Sequence, residues 1–441
     1  MNNEKIVNAA PTKEFFIYML TKDIPLVRAI IDLVDNCLDG AHRIRGDEDY
    51  SELWVRIEAN KDSFKISDNC GGISVELARK YAFRFGRPKD MPRLKHSVGQ
   101  FGVGMKRALF KIGREFKIES FTETSRFVIE EDVEKWKEKP KWEFEFKELE
   151  EKLTQPPSID NRGTTIIVKS LNESVAEAFN LDNFINRLKG ELEIAHQDSL
   201  SKGLQITLNG IPLTFSITEL LQSDILKPAN KDLEFDEPEK AVVKVKLYAG
   251  ISDSDPSTAG WYVYCNGRCI LETDKSNTTG WAEGGGRTIP QYHNQFARFR
   301  GYVFFDCDDA GRLPWNTTKT GVDIDSTIYR SVRQNMITMM RPVIDFLNRL
   351  DAEKDCREEP AMLTEAVEGA EKADLQSIVA SPNFIANVES VIKTPVQQMQ
   401  RIQYHKPKDQ VKIVKDVLRV LSFKEVGEKT FDYFFERECD E

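Results

Sequence analysis

Residues 96–113 read HSVGQFGVGMKRALFKIG. Three glycines, Gly99, Gly102 and Gly104, are spaced three and two apart, Val103 lies between the last two, and Lys106 follows as an amphipathic run begins. Glycine lets a backbone approach an anion closely and turn successive N–H groups toward it. The start of a helix adds the positive end of its dipole, and Lys106 adds a formal charge. The chemistry on offer is phosphate binding. Glycine turns before helices are common, so the reading depends on what stands upstream.

Two upstream segments complement it. LVRAIIDLVDNCLDGAHRI, residues 26–44, places Arg28, Asp32, Asp35, Asn36 and Asp39 together on one side of a helical projection. Short carboxylates and an amide oxygen suit a hard cation such as Mg²⁺, although an acidic helix face is also an ordinary solvated surface. DSFKISDNCGGIS, residues 62–74, ends an alternating run at Asp68, before Asn69, Gly71 and Gly72. A carboxylate there could accept the exocyclic amine of adenine; the same string could equally close a hairpin. Downstream, RGTTIIV at 162–168 offers Thr164, able to support Asp68 through a water.

The elements that must position these groups follow from periodicity. Leu26, Ile30, Leu33, Val34, Cys37 and Ala41 fall within an arc of roughly 100°, opposite the polar set, which predicts an amphipathic helix. Phe64 and Ile66 alternate with Lys65 and Ser67, and residues 164–168 are β-branched; both read as strands. The order is therefore acidic helix, Asp-Asn turn at a strand end, glycine-lysine loop into a helix, and Gly-Thr strand.

In that order the chain resembles the GHKL ATPases: gyrase, the ninety-kilodalton heat-shock chaperones, histidine kinases and MutL. DLVDN is similar to their N box, DNCGGI to the adenine box, and GQFGVGMK to the lid and second glycine box, over about residues 14–170. The resemblance implies the Bergerat fold, an α/β sandwich with helices on one face of a mixed, mainly antiparallel sheet. It implies ATP and Mg²⁺ as ligands, with Asn36 on the metal and Asp68 on adenine N6. Gly72 would let the base pack closely. Gly99, Gly102, Val103, Gly104 and Lys106 would surround the phosphates, residues 83–104 would form a mobile lid, and Asp39 would support helix geometry. Two positions depart from the family pattern. Aspartate stands at Asp32, where hydrolysing members carry glutamate as the base for water; it is one methylene shorter, and reach decides a general base before pKa does. Slow turnover is the expectation. Cys70 stands where glycine is usual.

With 441 residues, the chain has room for two or three domains. A net charge of −10 disfavours broad nucleic-acid affinity. Two local basic groups remain as candidates: Lys106, Arg107, Lys111, Arg114 and Lys117, and Arg401, His405, Lys406, Lys408, Lys412 and Lys415. The seven cysteines include no CxxC pair, which suggests reduced thiols in a cytoplasmic protein. Cys265 and Cys269, flanking Asn-Gly-Arg, read as a hairpin. The beginning of the sequence lacks a signal-peptide pattern, and no stretch approaches 18 apolar residues.

Residues 120–160 read as strands followed by a charged aromatic stretch, and 1–170 as the ATP-binding domain. From 171 to 350 the texture changes to a helix, several strands, the loop GRLPWNTTKTGVD and a long amphipathic run with Pro342 inside. NGR at 266–268 and LPWNTTK resemble the second domain of MutL-type and microrchidia-type relatives, an S5-like transducer that sends a lysine to the γ-phosphate. The resemblance assigns that role to Lys319. Residues 351–441 read as an acidic linker and a C-terminal helical module. The fold class is accordingly α+β. The expected function is an ATP-gated switch that dimerises and acts on a separate effector; antiphage defence in bacteria is a setting suggested by analogy. An ATP-gated DNA clamp, a chaperone and a histidine-kinase-like phosphotransferase are the alternatives. The last needs an acceptor histidine, for which His196 stands in a helical run.

Overall fold

The computed structural model describes residues 11–46, 49–86, 95–99, 102–215, 218–286, 288–316, 318–353, 361–379, 381–387, 402, 405–420 and 422–439. The chain forms two units, Met1–Val388 and Glu389–Glu441. The N-terminal segment before residue 11, the centre of the expected lid, Cys356, Pro395 and Arg401 lie outside the described residues.

The first sheet has eight strands: β1 Trp54–Ala59, β2 Phe64–Asp68, β3 Gly113–Phe121, β4 Arg126–Asp132, β5 Phe146–Glu150, β6 Thr164–Leu171, β7 Gln205–Leu208 and β8 Ile211–Pro212. They lie in the order β5-β4-β3-β6-β2-β1-β7-β8. All pair antiparallel except β1 with β7. The segment 120–160 is thus the sheet's far edge. Register decides the site: Ile66 of β2 faces Ile166 of β6 and Ile57 of β1, so Asp68 emerges at the end of β2 beside the start of β6.

Eight helices accompany this sheet: α1 Lys13–Lys22, α2 Leu26–Arg45, α3 Val75–Leu77, α4 Gly104–Ile112, α5 Val133–Glu138, α6 Glu173–Phe179, α7 Asp182–Ala195 and α8 Gln197–Ser201. α2 buries the expected stripe of Ile30, Leu33, Val34, Cys37 and Ala41 and packs along α4. It ends at Gly46, whose φ of 70° suits glycine.

This core continues well past residue 170. Leu188 and Leu192 of α7, Ile206 and Leu208 of β7, and Leu213 all join it. The boundary expected at 170 is therefore corrected to about 213. The physical reason is edge coverage: β7 pairs with β1 and closes what would otherwise be an open strand.

A second sheet follows. After β9 Glu219–Gln222 and β10 Leu226–Lys227, the strands β11 Ala229–Phe235, β12 Val243–Ile251, β13 Gly260–Cys265, β14 Arg268–Asp274 and β15 Phe299–Cys307 lie in the order β11-β12-β15-β13-β14. β13 and β14 form a hairpin through Asn266 and Gly267, at φ 45° and 74°. Its Cys265 and Cys269 are buried free thiols. The 27-residue helix α9, Thr327–Glu353, runs unbroken through Pro342 and buries Tyr329, Val332, Met336, Met340, Val343 and Leu347 in a second core.

The end of this domain is also later than expected. The Glu353 carboxylate accepts N–H bonds from Leu363 (2.7 Å) and Thr364 (2.8 Å), at the start of α10, Met362–Glu368. Ala366, Val367 and Phe384 join the second core. β16 Glu371–Asp374 returns to β9, and β17 Ile385–Ala386 returns to β10. The boundary at 350 is corrected to about 387, because these apolar side chains complete a core rather than line a linker.

The second unit holds α11 Lys408–Leu418 and α12 Phe423–Glu438. Val420 and Val426 are buried there, whereas Phe431, Tyr433, Phe434 and Phe435 are exposed. Among the described residues, no helix is long and apolar enough to cross a membrane.

Candidate functional site

A cavity of about 180 Å³ opens between α2, the ends of β2 and β6, and the glycine loop entering α4. Asp32, Asn36, Asp68, Gly72, Gly99, Gly102, Val103, Gly104, Lys106, Thr164 and Lys319 all line it. Residues from five separate stretches of sequence and from both sheet domains thus meet around one space.

One end is built from backbone. The Asp68 carboxylate accepts the Cys70 N–H at 2.8 Å and the Cys37 thiol at 3.4 Å. Burial pushes its pKa up to about 6, against the Cys70 N–H, the thiol, the Thr164 N–H and Arg43, which all favour the charged form. The Thr164 hydroxyl shares a hydrogen bond with Ser120 (3.2 Å). The glycines here serve close backbone packing. A Cβ on Gly72, at φ +67°, would stand 2.2 Å from the Phe121 carbonyl oxygen; one on Gly163 would stand 1.7 Å from that of Asp68. Gly72 is thus required by β3 itself, whatever packs on its other side.

The loop 95–99 is anchored from two directions. Asp39 accepts the Val98 N–H (2.7 Å) and the Gly99 N–H (2.9 Å), so it fixes this loop rather than helix geometry. A Cβ on Gly99 would lie 2.6 Å from the same carboxylate. From the other direction, the Val98 side chain enters the second domain's core. Asn266 donates to the Ser97 carbonyl (3.2 Å), and Asp308 pairs with Lys95 (3.2 Å) and His96 (3.0 Å).

Lys106 is buried, and its ammonium donates to the carbonyls of Ala82 (2.9 Å) and Gly102. It ties together the two roots of the segment expected to be the lid. Burial pulls its pKa down to about 7. Lys106 faces the cavity from its wall, with two of its three donors engaged.

The opposite end is built from charges. Of Arg28, Asp32, Asp35, Asn36 and Asp39 on α2, only Asn36 is exposed. Asp32 is paired with Arg107 of α4. Asp35, 1 % exposed, accepts a 2.7 Å hydrogen bond from Lys319 and has Arg268 Nε at 3.4 Å and His196 Nδ1 at 3.9 Å. Lys319 also stands 3.7 Å from Asp32. Burial alone would favour a neutral Asp35, yet Lys319, Arg268 and His196 outweigh it and hold the carboxyl below its ordinary value. Burial likewise opposes the Lys319 charge, but Asp35 and Asp32 raise its pKa. Lys319 has φ 52°, a left-handed conformation that costs energy in a non-glycine residue. Asn316 holds the turn by accepting the Thr320 N–H (2.9 Å) and the Lys319 N–H (3.0 Å, at its carbonyl).

Several expectations need correction. His196 is wholly buried between α7 and α8, and burial followed by Arg268 takes its pKa down to about 3; it is a neutral interior group, out of reach of a phosphoryl donor. The basic group at 106–117 forms no patch. Lys106 and Arg107 are engaged as above, Lys111 donates to the Thr21 carbonyl (2.9 Å), Lys117 lies 3.9 Å from both Glu119 and Glu130, and only Arg114 is exposed. Of the second group, His405, Lys406, Lys408 and Lys412 are exposed and Lys415 is half-buried.

Sequence reasoning missed Arg107, Arg268 and His196 as parts of the site, and placed Asp35 only on a polar face. Asp35 sits beside Asn36 in the motif, and Arg268 sits in the NGR string, so both were visible. Nothing in the sequence paired them.

Residues 24–164 match the family model described as histidine kinase-, DNA gyrase B-, and HSP90-like ATPase. A search of curated proteins found no match to the chain. The matched span contains α2, β2, the glycine loop, α4 and the first residue of β6, and ends before Ile166 and the Lys319 loop, which also line the cavity. Residues 24–164 are thus similar to the GHKL-type ATPases that this description names.

Proposed function

We propose that this protein is an ATP-gated conformational switch with slow turnover. Asp68 accepts the adenine amine, with Thr164 supporting it. The N–H groups of Gly102, Val103 and Gly104, with Gly99 and Lys106 nearby, take the phosphates at the start of α4. Lys319 reads the γ-phosphate, and the domain from about 214 to 387 serves as an S5-like transducer. The observation that carries this reading is the entry of Lys319 into the cavity, 251 residues along the chain from Asp68.

The residues present suit a nucleotide-borne Mg²⁺. Asn36 is exposed to the cavity while Asp32 and Asp35 are engaged by cations, and no cluster of three His, Cys, Asp or Glu among the described residues could hold a metal by itself. A magnesium ion commonly takes one or two protein ligands together with substrate phosphates. When bound, it would offset phosphate charge, and Asn36 would orient it. Asp32 is the base for the attacking water once Arg107 releases it; its short reach accounts for slow hydrolysis.

The switch acts through a second copy of the chain and a separate effector. Exposed Phe15, Tyr18 and Met19 on α1 support a pairing surface. Nucleotide titration combined with size measurement tests the whole reading. Wild type is expected to bind ATP and enlarge, Asp68→Asn to lose binding, Asp32→Asn to bind without turnover, and Lys319→Ala to bind without enlarging. Unchanged ATP affinity in Asp68→Asn would overturn the site assignment.

A further inference from the structure

The buried charges behind the cavity are unevenly paired. One oxygen of Asp35 has a short bond from Lys319. Its other oxygen, Oδ1, has no hydrogen bond among the described residues, and neither has the Arg268 Nε that faces it at 3.4 Å. Both His196 ring nitrogens also lack a hydrogen-bond partner among the described residues. Arg268 is 2 % exposed, and the hydrogen bond it makes runs from Nη1 to the Cys269 carbonyl (3.2 Å). A buried guanidinium and a buried imidazole therefore both stand close to one buried carboxylate oxygen without a hydrogen bond to it among the described residues. Native interiors rarely leave such groups unsatisfied, and each instance calls for a reason.

We propose that Asp35 and Arg268 form a hand-over pair: Asp35 holds Lys319 away from the nucleotide, and Arg268 closes on Asp35 when Lys319 turns to the γ-phosphate. The pair rests on the reading of Lys319 given above, and makes Arg268 a positioning residue.

The geometry supports this in three ways. First, Lys319 already stands between Asp35 at 2.7 Å and Asp32 at 3.7 Å, on the cavity wall, so a small rotation moves its ammonium from one acceptor to another. Second, a departing lysine would leave Asp35 buried and charged, an arrangement proteins avoid unless a second cation compensates. Arg268 is that cation, and a closure of about 0.5 Å brings its Nε–H to ordinary hydrogen-bond length. Third, Arg268 stands at the first position of β14, directly after the Asn266–Gly267 turn, and Asn266 holds the Ser97 carbonyl. A shift of Arg268 therefore reaches the loop beside the phosphates. Asp35 also faces His196, and Arg28 lies near enough to feel both Asp35 and Arg268, so the site retains positive charge in either arrangement.

The hand-over predicts opposite effects from its two members. The measured quantity is the ratio of dissociation constants for ADP and for a non-hydrolysable ATP analogue, both with Mg²⁺, on the full-length protein. Arg268→Lys keeps a positive charge but removes Nε and the planar fork. It should trap Lys319 on Asp35 and lower the ratio about tenfold, a change of roughly 1.4 kcal/mol, with ADP binding unchanged. Asp35→Asn should free Lys319 and raise the ratio. In a Lys319→Ala background, Arg268→Lys should have no further effect on it. Should Asp35→Asn misfold, the Arg268→Lys result with and without Lys319 still decides the matter.

The inference is overturned if both single variants leave the ratio at the wild-type value. It is equally overturned if Asp35→Asn lowers the ratio, which would mean that Asp35 aims Lys319 at the nucleotide. Equal weakening of ADP and analogue by Arg268→Lys would reduce Arg268 to a packing residue. If wild type binds neither nucleotide, it is the ATP-switch reading that fails.

Discussion

The two ends of the cavity are built on different physical principles. At the Asp68 end, shape is set by backbone: β2, β3 and β6 approach so closely that Gly72 and Gly163 have no room for a methyl group. At the Lys319 end, Asp32, Asp35, Arg107, Arg268 and Lys319 come from three helices and strands and one loop in two domains, and are held by charge. A site made of close-packed backbone has one arrangement. A site made of ion pairs has several of similar energy, because each cation can exchange one acceptor for another. The rigid end suits recognition, and the exchangeable end suits signalling.

The sharpest way to break this contrast is at Gly72. Gly72→Ala places a Cβ against the Phe121 carbonyl at an unfavourable φ and should cost more than about 4 kcal/mol, read by denaturant unfolding. A smaller cost would mean that the rigid end yields.

Lys319→Ala comes next. It leaves Arg268 as a compensating cation beside Asp35, and the nucleotide-free protein should lose less than the figure of about 3–5 kcal/mol that an uncompensated buried charge costs. Adding Arg268→Met should bring the loss up to that figure. If the double variant is no worse than the single, the charges are not exchangeable partners.

Asp68→Asn should weaken ATP binding by more than about 100-fold, or roughly 2.7 kcal/mol, measured by calorimetry, while raising the melting temperature of the empty protein. The sign follows from its raised pKa. A carboxyl moved from 3.8 to about 6 in the folded state contributes its stability in full below 3.8 and loses it as pH rises through 6. The difference corresponds to at most about 3 kcal/mol.

The smallest effect is the pH dependence itself. Between pH 5 and 7.5, the melting temperature of Asp68→Asn should pull ahead of wild type by a few degrees. Parallel curves would place the burial cost elsewhere.

Much of the rigid end was legible in the sequence. Phe64 to Asp68 alternates as a strand must, and the glycines announce a turn, so Asp68, Gly72 and the GHKL resemblance could be read directly. The charged end was legible only in part. Lys319 is legible through a resemblance to second domains of related proteins, but its partner Asp35 reads only as one member of a polar helix face, suited to a cation or to solvent, since a helical projection shows which residues share a face and not what covers it. Arg107 was grouped with a basic patch for the same reason. The domain boundaries failed at 170 and 350 because composition changes where secondary structure changes, whereas a core ends where packing ends. No local signal in the sequence pairs β7 with β1, or sends Phe384 back to the second core.

Val98 ties these observations together. One aliphatic side chain from the root of the glycine loop is lodged in the neighbouring domain's interior, much as a tenon sits in its mortise. The two large sheets of the first unit are thereby joined through a buried side chain. Heating should unfold them in one step, and shortening Val98 to alanine should split that transition into two.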